Sequence, residues 1–129
     1  MSPRTIAVVG ASADRQKFGN KCVRAYSDAG YRVYPVNPGE REIEGLPVFR
    51  ALAEVPAPLD RISVYLPPPV TLALLPEIAR AALPAGTEVW FNPGSASGEV
   101  LAEARRLGIA ARPGCSIVDI GRRPGEFPG

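Results

Sequence analysis

Short apolar runs alternate with helix-length amphipathic stretches along the whole chain, and this alternation restricts the fold more than any other feature. Thr5 to Gly10 (TIAVVG) is β-branched and apolar and stops at a glycine, the pattern of a strand buried on both faces. Phe18 to Ala29 carries Cys22, Val23 and Tyr26 at helical spacing, with Gly30 where a C-cap glycine belongs. Tyr31 to Val36 (YRVYPV) reads as a second strand, closed by the turn residues Asn37, Pro38 and Gly39. A helical turn is expected around Phe49 to Glu54. Arg61 to Leu66 (RISVYL) follows as a third strand, which Pro67, Pro68 and Pro69 cannot extend. Val70 to Leu83 sets Leu72, Leu75, Ile78, Ala79 and Ala82 on one helical face, with Pro76 expected within the first turns. Thr87 to Phe91 is a fourth strand, Gly98 to Leu107 a helix ended by Gly108, and Ile109 to Arg112 a short fifth strand. Arg122 to Gly129 is rich in proline and glycine and is expected to form a tail rather than an element.

Strands separated by helices of this length pair in parallel through right-handed crossovers. The expected fold is therefore α/β: a single Rossmann-like, doubly wound domain over residues 1–129, with a mainly parallel sheet of about five strands. Hydrophobic residues at 46% and charged residues at 22% give a sequence of this length enough apolar surface to fold, which excludes a disordered chain. A net charge of +2, without basic patches interleaved with aromatics, argues against nucleic acid. No apolar run is long enough to span a bilayer, and no charged segment leads into an apolar signal core. The two cysteines, Cys22 and Cys115, show no CxxC spacing and fit a reducing, cytoplasmic setting. The chain has no histidine, which removes Ser-His-Asp and Cys-His catalysis and most zinc sites.

In a doubly wound sheet the ligand lies at the carboxyl ends of the strands. The turn after the first strand, Gly10-Ala11-Ser12 leading to Lys17 and Phe18, feeds a helix N-terminus whose free N–H groups and positive dipole end favour phosphate. Gly10 lets backbone approach a ligand, Ser12 adds a hydroxyl, and Arg15 or Lys17 supplies counter-charge. A valine at position 10 is expected to block the phosphate path and leave the fold intact. The glycine spacing is neither GxGxxG nor a P-loop, and a tight turn with an N-cap serine fits the same residues. At Asn37-Pro38 a dinucleotide-binding domain usually has an acid for the ribose hydroxyls. The neutral residue counts against NAD and leaves room for a ribose phosphate, with Arg32 or Arg41 to meet it; a plain Asn-Pro-Gly turn is the alternative. Leu66, Pro67 and Pro68 form a stiff ledge suited to an adenine ring or a pantetheine arm, or simply end a strand and start a helix. Asn92 either presents its amide to a ligand or satisfies its own turn. Cys115 follows the last strand on the same edge. A buried small hydrophobe is the leading reading for it and for Cys22, since no histidine is there to activate a thiol.

Four segments in order, VVGAS at 8–12, PVNP at 35–38, YLPPP at 65–69 and PGC at 113–115, resemble the stand-alone CoA-binding domain proteins. These are relatives of the N-terminal domain of the succinyl-CoA synthetase α subunit and of ADP-forming acyl-CoA synthetases. The resemblance runs from Thr5 to about Ile120 and implies a Rossmann-like fold that binds coenzyme A without a demonstrated reaction. It places Gly10, Ala11 and Ser12 in the loop around the CoA phosphates and Lys17 at a basic position after it. Asn37 and Pro38 match the ribose-side turn, Leu66, Pro67 and Pro68 the ledge, and Cys115 the family's late cysteine. Trp90-Phe91-Asn92 stands where many members have Trp-x-Gln, and Pro93 to Ser97 also departs from the usual pattern, at the pantetheine end. The synthetases' phosphohistidine lies on another domain, so this chain cannot perform their phosphoryl relay alone.

The expected function is thus a non-catalytic module that binds coenzyme A or an acyl-CoA, working with a partner enzyme or as a homodimer. The alternative is a component of an NAD(P)- or acyl-CoA-dependent enzyme whose catalytic residues come from a partner chain. A third reading is a redox sensor acting through Cys115.

Overall fold

In the first strand, β1 (Thr5–Val9), Ile6 and Val8 point to one face and Ala7 and Val9 to the other, and all four are buried. A strand apolar on both faces must be covered twice, and the rest of the chain supplies both covers. The computed structural model describes residues 3–81 and 83–129. After β1 come α1 (Phe18–Asp28), β2 (Arg32–Val36), a small hairpin of β3 (Glu42–Ile43) and β4 (Leu46–Pro47), and a 3-10 turn at Leu52–Glu54. Then follow β5 (Arg61–Val64), α2 (Pro68–Arg80), β6 (Glu88–Phe91), α3 (Gly98–Arg106), β7 (Ala111–Pro113), α4 (Ser116–Asp119) and a 3-10 turn at Pro124–Glu126. The main sheet has the order β2-β1-β5-β6-β7, with every neighbouring pair parallel. The chain thus winds one way from β1 to β2 and the other way from β5 onward, leaving a switch point between β1 and β5.

One face of the sheet packs Ala7, Val9, Ile62, Val64, Val89 and Phe91 against Leu75 and Ile78 of α2 and Val100 and Ala104 of α3. The other packs Ile6, Val8 and Val33 against Cys22, Val23 and Tyr26 of α1 and Ile117 of α4. Fully burying each large apolar side chain contributes about 1.5–3 kcal/mol, so these two layers supply most of the drive to fold. No helix among the described residues is long and apolar enough to cross a membrane.

The structure agrees with the expected five-stranded parallel sheet and departs from the sequence reading in several elements. The third strand stops at Val64, and α2 begins at Pro68 rather than Val70 because proline is pre-set for the first helical position. Pro76 lies past the middle of the 13-residue helix, not within its first turns. It deprives Leu72 of its i+4 donor, a cost the neighbouring buried residues Leu75 and Ile78 offset, while its ring faces solvent. Ala79 is exposed rather than on the packed face, and Ala82 lies outside the described residues. The β3–β4 hairpin and α4 were absent from the sequence reading, since elements this short leave no periodic signal. The segment after Arg122 is not featureless. Its 3-10 turn is capped by the Arg123 N–H donating to Glu126 Oε1 at 2.8 Å.

At the amino end of β5, Arg61 ties strand to helix. Its guanidinium, 9% exposed, donates to Asp119 Oδ2 at 2.7 Å and to the Tyr26 hydroxyl at 3.2 Å, and lies 5.6 Å from the Trp90 ring centroid. Glu88 is a second, longer ion-pair partner at 3.5 Å. Removing one partner of a largely buried charge leaves it uncompensated, so Asp119→Asn is expected to cost about 2 kcal/mol in urea unfolding. Glu103→Gln, which breaks the exposed pair with Arg106, should change little. Equal effects of the two would show that Arg61 is not anchored by Asp119.

Candidate functional site

At the carboxyl end of β1 the chain turns at Gly10, whose φ of +86° lies in the left-handed region open to glycine. Its N–H donates to Val36 O at 3.1 Å, and an added Cβ would run into the Tyr65 carbonyl. A Cβ at Gly19 would in turn run into the Gly10 carbonyl. The loop is therefore clamped between β5 and the start of α1. This corrects the expectation for valine at position 10, which would displace the backbone of β5 as well as obstruct a ligand.

Within the loop the carbonyls are tied inward. Ala11 O accepts from Asn37 Nδ2 at 2.8 Å and Ser12 O from Asn20 Nδ2 at 2.9 Å. Ser12 Oγ accepts the Asp14 N–H at 3.0 Å, and Asp14 Oδ1 accepts the Gln16 N–H at 3.0 Å. Among the described residues the N–H groups of Ala11, Ser12 and Ala13 have no acceptor. The Ser12 hydroxyl proton likewise remains free to donate. Unpaired N–H groups of Ser12 and Ala13 in the loop that leads into α1 are suited to an anion, phosphate above all.

Beside this loop runs an open groove of about 340 Å³, between the ends of β1, β5 and β6 at the switch point. Gly10, Lys17 and Phe18 line one side, Tyr65 to Pro68 the floor and far wall, and Pro93 to Ser95 the end. Lys17 is the N-cap residue of α1, and Phe18 stands 57% exposed on the rim. The lining holds one cation and no carboxylate, which again favours an anion. The ledge is pinned from below: the Leu66 N–H donates to Ser95 Oγ at 3.2 Å, and Thr71 Oγ1 donates to Leu66 O at 3.1 Å. Because α2 opens on Pro67 and Pro68, its N-terminus presents an apolar wall instead of N–H donors. A larger cavity, about 580 Å³, lies at the opposite end of the sheet between Leu52, Leu59, Arg80 and Leu83. It sits away from the carboxyl ends of the strands and has no comparable donor array.

Gly10, Lys17, Phe18, Leu66, Pro67 and Pro68 thus meet in one groove, with Ala11 and Ser12 in the adjoining loop. Other candidates take different places. Arg32 opens β2 opposite Thr5, at the amino edge of the sheet, and does not join the site. Arg41 lies in the loop after β2, where its carbonyl accepts the Val48 N–H at 3.0 Å. Asn37 holds Ala11 O with its amide and accepts the Gly39 N–H at 2.7 Å, so it shapes the site from within, beside an exposed Pro38. Asn92, 1% exposed, donates to Ser63 Oγ at 2.8 Å and Val64 O at 2.9 Å and accepts the Ser116 N–H at 2.9 Å. Its whole amide is committed to joining β5, β6 and α4 rather than to a ligand. Cys115 caps α4, half-buried against the α1-side core, and does not line the groove. Asn20 and Tyr65 are not among the site residues read from the sequence, whereas Pro93 to Ser95 line the groove at the end that the resemblance assigns to pantetheine. Asn20 was legible as a polar residue on the face of α1 that carries Val23 and Tyr26.

Beneath the floor lies a buried polar cluster. Ser63 Oγ and Ser116 Oγ are 2.7 Å apart, with Cys22 Sγ at 3.7 and 3.8 Å from them. Burial pushes the Cys22 thiol up to about 11, and it drives the Tyr65 phenol far above its ordinary range. Tyr65 Oη is buried without a hydrogen-bond partner of good geometry. Both groups stay protonated at neutral pH and supply neither base nor nucleophile. Among the described residues no cluster of three or more His, Cys, Asp or Glu side chains is placed to hold a metal ion.

A sheet wound in this order, with the first loop at its switch point, defines a Rossmann-like α/β domain. The sequence matches the CoA binding domain family over residues 4–121, and the chain belongs to that family. It is 36% identical over 67 residues to the α subunit of an ADP-forming acetate–CoA ligase (isoform II) from Pyrococcus furiosus, a stretch covering 51% of this chain and 15% of that subunit. It is likewise 36% identical over 62 residues to the uncharacterized protein YneT of Bacillus subtilis, 48% of this chain and 46% of that one. The chain therefore spans less than half the length of these curated relatives. A conserved hypothetical protein from P. furiosus has the same fold, with a TM-score of 0.81 and 35% identity over 90% of this chain and 98% of that one.

Because burial raises the Cys22 pKa in the folded chain from 9.0 to about 11, the folded state holds that proton more tightly than the unfolded state. Its contribution to stability is complete below pH 9 and is lost as pH rises toward 11, by roughly 1.4 kcal/mol per pH unit. Urea unfolding across this interval should show a steep alkaline loss that Cys22→Ala reduces, leaving the part from the raised Tyr26 and Tyr65 phenols. An unchanged slope in the variant would mean that the thiol is not shielded as the packing indicates.

Proposed function

We propose that this chain binds coenzyme A or an acyl-CoA at the groove between β1 and β5, as a binding module without catalytic groups of its own. The observation that carries this reading is the first loop, with its carbonyls tied inward and the N–H groups of Ser12 and Ala13 unpaired in the stretch that adjoins the groove Lys17 lines. These groups, with the Ser12 hydroxyl, would hold the phosphates of the nucleotide. Leu66, Pro67 and Pro68 would offer a rigid apolar face to its uncharged part, with little side-chain entropy to lose. Asn37 and Pro38 would shape the ribose side. The neutral residue after β2 favours CoA over NAD, because no carboxylate is there to accept ribose hydroxyls.

The groove offers no histidine or carboxylate as a general base, and Tyr65 is held protonated. Cys22 and Cys115 are free thiols, in keeping with a reducing cytoplasm. A second reading, a component of an acyl-CoA-handling enzyme completed by a partner chain, is favoured by the match to 15% of a ligase subunit.

Calorimetric titration with CoA, acetyl-CoA, NAD, NADPH and ATP tests the assignment. Micromolar or tighter binding of CoA is expected, with NAD and ATP silent. Lys17→Ala should weaken CoA by about five- to thirtyfold, the loss of one charge-assisted hydrogen bond, whereas Arg32→Ala at the far edge should leave it unchanged. Heat from a dinucleotide but none from CoA would overturn the ligand. A large effect of Arg32→Ala would overturn the location.

A further inference from the structure

A polar network that the groove does not use runs along the outer side of α1 and joins the first loop to the C-terminal segment. Arg24, half-buried, is its centre. Its Nε donates to Asn20 Oδ1 at 2.7 Å, one terminal nitrogen donates to Arg15 O and Phe127 O, both at 2.9 Å, and the other to Pro128 O at 2.8 Å. The guanidinium lies 5.9 Å from the Phe127 ring centroid. Lys21 Nζ adds a bond to Phe127 O at 2.9 Å. From Arg24 the chain of contacts leads to the loop by two routes. One is the Arg15 carbonyl itself. The other is Asn20, fully buried, whose Nδ2 donates to Ser12 O and, at 3.1 Å, to Glu44 Oε2. Glu44 has φ +51°, a left-handed conformation that costs a non-glycine residue about 1 kcal/mol, and its carboxylate also lies 3.4 Å from Arg15 Nε.

We propose that Arg24 is a positioning residue for the phosphate loop, and that the C-terminal segment 122–128 braces the loop through it. This rests on the reading of that loop as the ligand-binding loop and adds its support and its regulation. A guanidinium is planar and rigid, so it fixes its acceptors relative to one another. Here those acceptors come from three segments: the loop, the helix and the tail. Without the tail, Arg24 loses the two carbonyls that hold its terminal nitrogens on the outer side and becomes free to swing into solvent. Arg15 O and Asn20 Oδ1 then lose their donor. Asn20 then keeps only its two Nδ2 bonds, to Ser12 O and Glu44 Oε2, and its amide is held less firmly, which loosens the bond that turns Ser12 O inward. The tail lies outside the sheet and is held by Phe127 at the edge of the α1-side core and by its carbonyl bonds to Arg24 and Lys21, so its docking can set how much of the protein carries an ordered loop.

Hydrogen exchange of amides 11–19 and CoA titration, both well below the unfolding temperature, test this in four proteins: wild type, Arg24→Met, Arg24→Lys and a chain ending at Gly121. Arg24→Met is expected to speed exchange of the loop amides and to weaken CoA fivefold or more. The shortened chain should do the same, and combining the two changes should add nothing further, because both break one connection. Arg24→Lys should recover part of the affinity. In the reverse direction, CoA should slow exchange at Glu126 and Phe127. If Arg24 served only general stability, Arg24→Met would lower the unfolding temperature yet leave loop exchange and CoA affinity unchanged, and that result overturns the proposal. Additive effects of the two changes would also overturn it. Should the shortened chain fail to fold, Arg24→Met and its rescue by lysine decide alone. If wild type binds no CoA, the proposed function falls, while the loop-exchange comparison still judges the brace.

Discussion

Two contacts of backbone against backbone at the end of β1 govern the geometry around the groove. The Gly10 Cα sits against the Tyr65 carbonyl, and Gly19 of α1 sits against the Gly10 carbonyl. Neither approach leaves room for a Cβ. Together they bring the first loop, the end of β5 and the start of α1 closer than side chains would allow. Gly10, Lys17 and the proline ledge line one open groove, next to the loop, because this approach is made. In dinucleotide-binding folds a third glycine gives close helix–strand packing. Gly19 does this work here, several residues later in a longer loop.

Around that approach the chain uses buried and part-buried amides as fasteners. Asn20 holds the Ser12 carbonyl, Asn37 the Ala11 carbonyl, and Asn92 joins Ser63, Val64 and Ser116. Each sits where an unpaired polar group would cost about 1–3 kcal/mol, so each specifies one arrangement of its loop rather than merely tolerating it. The same logic applies to Arg61, whose charge is held by Asp119, Glu88 and the Trp90 face at the far end of the sheet. The polar interior is thus arranged for rigidity. A rigid loop of N–H groups binds phosphate without first losing conformational entropy.

Such a site is economical chemically. It offers fixed dipoles, one lysine and an apolar wall, and its buried titratable groups are pushed toward their neutral forms. That inventory suits holding a nucleotide more than transforming one. It also fits membership of a family whose domain recurs as a fraction of much longer ligase subunits.

The sequence by itself determined the layout of the sheet. Runs such as TIAVV and RISV are apolar on both faces and must be sandwiched, and helical stretches between them leave parallel crossovers as the arrangement. It also placed Gly10 and the prolines on one edge, since each follows a strand, and Lys17 with them, at the start of the helix that the first turn feeds. Local pattern carried no such information about the hairpin, α4 or the tail, whose stability comes from contacts distant in sequence. The tertiary structure alone decided which polar residues face a ligand and which fasten the interior. Asn37 and Asn92 both follow strands and look equally available in sequence. Their amides are engaged by Ala11, Ser63 and Ser116, residues many positions away. Likewise Arg32 is near Asn37 along the chain yet at the opposite edge of the sheet, because an extended strand carries its two ends to opposite sides of the domain.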